Sequence, residues 1–198
     1  MSRWTFRVAQ EADAPALLAI YAPYIATPVT FEEQLPSEEE FARRIREYAR
    51  DYPYLVCLRD GQPVGYAYAH RAMERAAYRW NAELSIYLAP EAAGQGVGKR
   101  LYQALEELLG MQGVRNLYGV VTAPNPASEA LHRACGFRLI GVHQASGYKC
   151  GRWRDVLWYE KRLPGQEGPS GPREPEPFSQ LVQRCPQEVA RVLEQYCP

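Results

Sequence analysis

A glycine-rich loop is the segment of the sequence with the clearest potential for chemistry. Residues 94–99 read Gly-Gln-Gly-Val-Gly-Lys and stand between a predicted strand and a predicted helix. Glycines let backbone amides come close to a ligand, and the N-terminus of a helix carries partial positive charge. A phosphate or pyrophosphate group fits both features. A plain strand-to-helix turn fits the same pattern, so both interpretations stay open at this point.

Two common phosphate-binding motifs can be tested against this loop. A Walker A motif with its lysine at Lys99 requires glycine at position 93 and serine or threonine at position 100, where the chain has Ala93 and Arg100. A dinucleotide fingerprint that starts at Gly94 requires glycine at position 99, which is lysine. Both motifs are therefore excluded.

The charge balance and the distribution of apolar residues limit the kinds of molecule that this protein is expected to bind. Lys plus Arg and Asp plus Glu number 23 each, so the formal net charge is zero. We therefore expect no nucleic acid and no anionic membrane as partner, because both attract basic surfaces. No stretch approaches the roughly 20 apolar residues of a membrane-spanning helix. The first ten residues, MSRWTFRVAQ, contain no apolar run, so we expect no secretory signal.

The cysteines and histidines indicate neither a disulfide framework nor a metal site. The five cysteines are odd in number and have no CxxC spacing, which favours a cytoplasmic location. The three histidines show no ligand spacing, so we expect no metal.

Alternating strands and helices surround the glycine loop. Residues 83–88 form the predicted strand before it, and a helix with leucines on one face follows it. A second unit comes next, with a predicted strand over residues 116–122 and a helix capped by Asn125. Upstream, Ser37 and Glu40 form a predicted capping box at the start of another helix. Strands with helices packed against them predict an α/β or α+β sheet domain.

The composition changes near the end of this domain. We expect one domain over residues 1–163, a flexible linker rich in proline and glycine over 164–177, and a tail over 178–198. Residues 186–196 have the apolar spacing of a short amphipathic helix. The tail has three possible states: docked on the domain, engaged in another contact, or mobile.

The order of motifs resembles a known superfamily. The GxGxG loop after a strand, followed by a strand–Asn–helix unit, resembles the GNAT acyltransferases. Four segments resemble its phosphinothricin and methionine-sulfoximine acetyltransferase branch: TPVTFEEQLPSEEEF, AYRWNAELSIYLAP, NPASEALHRACGF and SGYKCGRWRDV. The resemblance covers about residues 3–163 in unbroken order. It implies a central mixed, mostly antiparallel sheet flanked by helices, with splayed strands at an acetyl-CoA site.

The resemblance implies contacts with acetyl-CoA in three places. A strand pairs with the pantetheine arm and points an amide at the thioester oxygen, the glycine loop binds the pyrophosphate, and an Asn-x-x-Ser pair lies near the sulfur. The corresponding residues here are Ile86, Tyr87, Leu88, Gly94, Gln95, Gly96, Val97, Gly98, Lys99, Asn125 and Ser128. The superfamily usually has Gln or Arg where this chain has Ala93, and the backbone donors remain.

Two residues match catalytic positions of the branch. Glu83 matches the general base, and apolar neighbours would raise its pKa toward the working pH. The alternative is a glutamate in a surface ion pair. His132 stands where many members carry a tyrosine general acid and this branch often carries histidine. Because a thiol has a pKa of only about 8.5, the leaving thiolate needs little help, so packing or hydrogen bonding is the alternative for His132.

The substrate pocket of the branch maps to Phe31, Arg75 and Tyr78. The planar guanidinium of Arg75 suits a substrate carboxylate, and Arg71 and Arg79 are nearby competitors for that role. Cys150 stands at a position where the branch varies, which bears on substrate identity more than on the reaction.

Three functions remain open from the sequence. The first is acetylation of the α-amine of a small amino-acid-like substrate. The second is acetylation of a peptide or protein N-terminus or lysine, which requires an open groove. The third is a non-catalytic acyl-CoA-binding sensor or a dimeric interaction module, and a sensor has no use for a base. The branch also implies a homodimer, with substrate pockets near the interface.

Overall fold

A seven-stranded sheet forms the centre of the molecule. The computed structural model describes residues 3–165 and 171–198. The strands lie in the order β1-β2-β3-β4-β5-β7-β6. Their bounds are β1 Trp4–Val8, β2 Tyr54–Arg59, β3 Gln62–Arg71, β4 Asn81–Leu88, β5 Asn116–Thr122, β6 Arg138–Lys149 and β7 Arg152–Arg162.

Helices cover the sheet. In the described residues they are α1 Ala14–Ile25, α2 Glu38–Asp51, α3 Val97–Gln112, α4 Pro126–Ala134, α5 Phe178–Arg184 and α6 Pro186–Gln195. Short 3₁₀ turns span Glu11–Asp13, Ala76–Tyr78 and Pro90–Ala92. The buried apolar side chains form a core cluster to which α1, α2, α3, α5 and α6 all contribute.

The pairing of β4 with β5 is the feature of the sheet that creates space for a ligand. These two strands are parallel and pair from Asn81 to Glu83 only, whereas every other neighbouring pair is antiparallel. Beyond Glu83 the two strands separate. The sheet is thus mixed and mostly antiparallel with splayed strands, and the predicted fold class is confirmed.

The start of α2 follows from local hydrogen bonding. The Ser37 hydroxyl accepts a hydrogen bond from the Glu40 amide at 3.1 Å, as the capping box predicts. The Glu40 carboxylate is instead engaged by the guanidinium groups of Arg43 and Arg44 on the same helix. Charged donors one turn away bind a carboxylate more strongly than a backbone amide does. These ion pairs therefore replace the other contact of the capping box, from the Glu40 carboxylate to the Ser37 amide.

The tail packs against the domain through two helices. Helix α6 matches the amphipathic segment expected near residues 186–196, and the preceding helix α5 had no predicted counterpart. Phe178 and Leu181 of α5, and Val189 and Val192 of α6, are buried in the core cluster. Of the three states open from the sequence, the tail is in the docked one.

The segment before α5 also contacts the domain. The indole nitrogen of Trp80 donates to the Arg173 carbonyl at 2.8 Å, and the Arg79 guanidinium binds the Glu174 carboxylate. Gln112 and Glu176 are joined by hydrogen bonds in both directions. Part of the predicted linker, residues 166–170, lies outside the described residues, so the division into domain, linker and tail stays a prediction.

Candidate active site

A cleft of about 530 Å³ opens where β4 and β5 separate. It is bounded by β4, the glycine loop, the end of β5 and the start of α4. Most of the predicted cofactor-binding residues line it, namely Ile86, Tyr87, Leu88, Gly94, Gly96, Gly98, Lys99, Asn125 and Ser128. The fold thus brings β4 and the glycine loop together with the end of β5 and the start of α4, although helix α3 lies between them in the chain.

The edge of β4 presents backbone groups to this cleft. The amide and carbonyl of Leu88 both contact the hydroxyl of Tyr24, at 3.3 and 2.7 Å. They therefore point away from β3, while the next amide, of Ala89, donates to the Val64 carbonyl of β3. Backbone groups two residues apart in a strand point the same way. The amide and carbonyl of Ile86 consequently face the gap, where β5 no longer pairs with β4.

The glycine loop has the backbone conformation that its sequence predicts. Gly94 and Gly96 have φ angles of +73° and +78°, in the left-handed region that favours glycine. A Cβ at Gly98 would stand 3.4 to 3.5 Å from side-chain carbons of Ile86 and Leu88, which is ordinary van der Waals contact, so the start of α3 packs closely on β4. The first amides of a helix have no partner within it, and Gly96, Gly98 and Lys99 at the start of α3 line the cleft.

Two residues of the loop have other uses for their side chains. The Gln95 amide donates to the Glu91 carbonyl at 2.5 Å, and the Val97 side chain is fully buried in the core. Neither residue is among those that line the cleft. A contact of these two residues with a ligand would have to be made by their backbone.

The start of α4 forms the far wall of the cleft. The Asn125 side-chain oxygen accepts a hydrogen bond from the Ser128 amide at 3.2 Å, which is the predicted helix cap. Both residues line the cleft as well. Capping and ligand contact are therefore compatible at this position.

His132 is buried behind that wall, with 2% of its surface exposed. Its Nδ1 lies 2.8 Å from the Ser128 carbonyl, which can only accept, so Nδ1 carries the proton. Its Nε2 lies 3.5 Å from the Tyr102 hydroxyl, and the rings of Phe137 and Tyr159 pack on the imidazole. Burial lowers the pKa of His132, so the neutral form is favoured.

The fit of His132 against β5 leads to a stability prediction. A Cβ added at Gly119 would stand 2.0 Å from His132 Nε2. Because Phe137 and Tyr159 enclose the ring, it cannot move aside freely. We expect Gly119→Ala to lower the free energy of unfolding by about 1–3 kcal/mol, measured by urea titration. Gly141→Ala is the control, since nothing lies within 4 Å of its added Cβ. Equal stability of the two variants would contradict this packing.

Glu83 lies at the point where β4 and β5 separate. Its side chain is 22% exposed, and its carboxylate is 3.8 Å from Nε2 of His70 on β3. Burial raises the pKa of Glu83, and the positive charge of His70 opposes that rise. Sequence reasoning missed His70, although the antiparallel pairing of β3 with β4 that places it opposite Glu83 follows from adjacent strands in the chain.

The predicted substrate residues lie in two loops. Phe31, 42% exposed, follows α1, and its ring packs over Gly147. The Lys149 ammonium is buried and donates to the carbonyls of Thr30 and Glu32 at 2.6 and 2.7 Å, which fixes the loop on both sides of Phe31. A buried lysine from β6 thus positions this loop, a role that sequence reasoning missed.

The second loop precedes β4. Arg75 is exposed at the start of the 3₁₀ turn that ends at Tyr78, which is 43% exposed. The competing Arg79 is engaged by Glu174 and stacks on the Trp80 ring at 4.2 Å. Among the described contacts none joins Phe31, Arg75 or Tyr78 to Glu83, so their shared pocket stays a prediction.

A second cavity of about 200 Å³ lies next to β4. Tyr87 lines both cavities. The second is walled by aromatic rings and by a charged pair, Glu32 with Arg44 at 2.5 Å: its other lining residues are Tyr21, Thr30, Phe41, Tyr48, Tyr54, Tyr66 and Tyr68. Burial raises the pKa of Tyr21 to about 12, so its hydroxyl stays protonated. Sequence reasoning missed this cavity because its walls come from separate elements.

Within residues 3–165 and 171–198, no cluster of three His, Cys, Asp or Glu side chains could hold a metal ion. None of the helices in those residues combines the length and the hydrophobicity that spanning a membrane requires.

The fold and the cleft define the class of protein. Residues 6–158 match the acetyltransferase (GNAT) domain, and the chain belongs to the GNAT acetyltransferase family. The superfamily resemblance identified in the sequence is thereby confirmed.

Relatives within this family narrow the likeness to one branch. The chain is 41% identical over 162 residues to a phosphinothricin N-acetyltransferase of Alcaligenes faecalis, covering 80% of this chain and 82% of the relative. It is 31% identical over 165 residues to an L-methionine sulfoximine/L-methionine sulfone acetyltransferase of Pseudomonas aeruginosa, covering 80% and 94%. A crystal structure of a phosphinothricin acetyltransferase from Sinorhizobium meliloti in complex with AcCoA has a TM-score of 0.79 and 40% identity, covering 88% and 94%.

Proposed function

We propose that this chain transfers an acetyl group from acetyl-CoA to the α-amine of a small amino-acid-like substrate of the phosphinothricin, methionine sulfoximine or methionine sulfone type. The observation that carries the proposal is the cleft between β4 and β5, with the glycine loop at one wall and Glu83 where the strands part. Membership of the acetyltransferase family and the named relatives support this substrate class.

The groups that line the cleft fit acetyl-CoA. In this proposal the amides of the first turn of α3 hold the pyrophosphate, and the free edge of β4 pairs with the pantetheine arm. Ala93 lacks the polar side chain of the Gln or Arg that the superfamily usually has at this position, but the backbone donors of the loop remain. When bound, acetyl-CoA supplies the acetyl thioester. The Ile86 amide faces the gap and is our candidate donor for the oxyanion that develops at the thioester carbonyl.

Glu83 is our candidate general base in a direct transfer. The substrate enters as an ammonium, which must lose a proton before its nitrogen can attack. A carboxylate whose pKa is raised by burial is closer to the working pH and therefore accepts that proton more effectively. Its partial exposure also leaves room for a water molecule between Glu83 and the amine.

For His132 we favour a structural role over general acid catalysis. Its Nδ1 proton is used by the Ser128 carbonyl, and burial favours the neutral ring. A thiolate with a conjugate-acid pKa of about 8.5 can leave without an acid. We therefore assign His132 to holding the first turn of α4, and with it the predicted contact residues Asn125 and Ser128.

On the substrate side, we propose that Arg75 binds the carboxylate and that Phe31 and Tyr78 form the walls. Arg79 is less suited to the task because Glu174 already occupies it. The partly exposed rings of Phe31 and Tyr78 remain available to a ligand.

The test is release of CoA by the purified protein with acetyl-CoA and a panel of amines. The panel contains phosphinothricin, methionine sulfoximine, methionine sulfone, free amino acids and short peptides. We expect turnover on the first three compounds. Turnover restricted to peptides would favour the N-terminal or lysine acetyltransferase, and binding of acetyl-CoA without turnover of any amine would favour the sensor.

We also propose that two copies of the chain associate through the β6–β7 end of the sheet, in the cytoplasm. β6 is the last strand of the sheet, and this end carries large apolar side chains that are 43% to 66% exposed, namely Leu139, Ile140, Val142, Tyr148 and Trp153. Exposed apolar clusters of this kind mark interaction surfaces. The five cysteines are free thiols, the state that a reducing compartment maintains.

Sedimentation velocity tests the association. We expect the unaltered chain to sediment as a dimer and the Val142→Glu, Trp153→Glu double variant as a monomer, because a buried unpaired carboxylate opposes association. Gln62→Glu, at an exposed polar position on β3 away from this end of the sheet, is the control. A monomer at micromolar concentration without any substitution would contradict the proposal.

A further inference from the structure

We propose that His70 is a positioning residue that acts through Glu83 and accepts the proton that Glu83 takes from the substrate ammonium. The inference rests on the proposed function, because it requires Glu83 to act as the base. It goes beyond that function by adding a second proton acceptor and a route for the proton out of the site.

The sheet itself brings the two side chains together. His70 and Glu83 are register partners in the antiparallel pairing of β3 with β4, so they lie on the same face of adjacent strands. His70 Nε2 is 3.8 Å from Glu83 Oε1. A movement of less than about 1 Å would make this a direct hydrogen bond.

The orientation of the imidazole is held on three sides. Its Nδ1 is 3.1 Å from the Arg71 carbonyl, which only accepts hydrogen bonds, so Nδ1 carries the proton in the neutral ring. The ring stacks on Tyr48 at 5.6 Å and packs on Tyr68 at 5.9 Å between centroids. These contacts leave Nε2, with its lone pair, directed toward the carboxylate.

The proton transfers balance at each step. The N–H bond of the ammonium breaks and an O–H bond forms on Glu83. That O–H bond then breaks and an N–H bond forms on His70 Nε2, which leaves an imidazolium beside a carboxylate. The His70 side chain is 26% exposed, so water can remove the proton and restore the neutral ring.

The other groups around the pair cannot replace His70 as acceptor. The titratable side chains that surround the pair are Tyr48 from α2, Tyr68 from β3, Tyr102 from α3 and Tyr118 from β5. All four are phenols, which are protonated at neutral pH and offer no basic nitrogen. Burial raises the pKa of Tyr68, Tyr102 and Tyr118 further.

The test is the pH profile of kcat/KM for the amine in the unaltered chain, His70→Asn, Glu83→Gln and the double variant. We expect His70→Asn to lower kcat by about tenfold at neutral pH with the KM for acetyl-CoA unchanged. The acid limb of the profile should move to higher pH, because a positive charge on His70 lowers the pKa of Glu83 and this variant lacks it. In the Glu83→Gln background, the loss of His70 should have no further effect.

Two additional variants separate proton transfer from folding. His70→Gly, supplied with free imidazole, should regain part of the lost kcat, which a purely structural role would not allow. His143→Asn, an exposed histidine on β6, is the control for the pH profile. The inference about His70 would be overturned, and the proposed function kept, by either of two results. One is an unchanged acid limb of the pH profile in His70→Asn, and the other is an equal loss of kcat on removing His70 from the unaltered chain and from Glu83→Gln. If the unaltered chain acetylates no amine in the panel, the proposed function and this inference are overturned together.

Discussion

Replacing Glu83 with glutamine is expected to lower kcat by about 10²- to 10⁴-fold, the range that general base catalysis contributes. Glutamine keeps the shape of the side chain and its place between β4 and β5, but its amide cannot accept a proton. The KM for acetyl-CoA should change little, because the glycine loop and the β4 edge are untouched. Initial rates of CoA release with the best amine of the panel measure both constants.

The stability of this variant separates catalysis from folding. Burial raises the pKa of Glu83, and a carboxyl with a raised pKa in the folded state favours folding at low pH and loses that contribution as pH rises through the folded pKa. At neutral pH the ionised carboxylate therefore opposes folding. We expect Glu83→Gln to unfold at the same or a higher temperature than the unaltered chain at pH 7. Glu47→Gln, an exposed position on α2, is the control, and a kcat within threefold of normal for Glu83→Gln would remove Glu83 as the base.

Replacing Phe178 with alanine is expected to lower the free energy of unfolding by about 3–5 kcal/mol. The ring is 1% exposed and belongs to the same core cluster as the side chains of α2 and α3. Its removal costs the burial of an aromatic side chain and leaves a cavity that the surrounding helices fill only in part. Urea unfolding at constant pH and salt, with unchanged slope, measures the difference.

A matched substitution on the same helix tests whether burial is the cause. Gln180 is exposed on α5, so Gln180→Ala should change the free energy of unfolding by less than about 0.5 kcal/mol. A loss below about 1 kcal/mol for Phe178→Ala would mean that the tail contributes little to the core. Such a result would favour the two alternatives that composition leaves open, in which the tail makes another contact or is mobile.

Several features of the site follow from short-range patterns in the sequence. Residues 94 and 96 adopt positive φ angles, which glycine tolerates because it has no Cβ and which other residues disfavour. Asn125 caps α4 because its side chain reaches an amide three residues away. These effects involve neighbouring residues only, so they can be predicted from the order of residue types. The order of such motifs along the chain also predicts the family.

The tertiary structure decides the features that depend on register and packing. Pairing of β4 with β5 stops at Glu83, which opens the cleft, and no local pattern marks that residue. The contact of His70 with Glu83 depends on the alignment of two strands, and the burial of His132 depends on rings from α3 and β7.

The tail also combines a feature that the sequence predicts with one that only the tertiary structure decides. Its amphipathic spacing predicts a helix near residues 186–196, but the surface that receives it comes from α3 and β1, far away in the chain. Local backbone preferences are set by hydrogen bonds over a few residues, and sequence alone determines them here. Contacts between distant segments depend on how the whole core packs, and for this protein only the three-dimensional structure decides them.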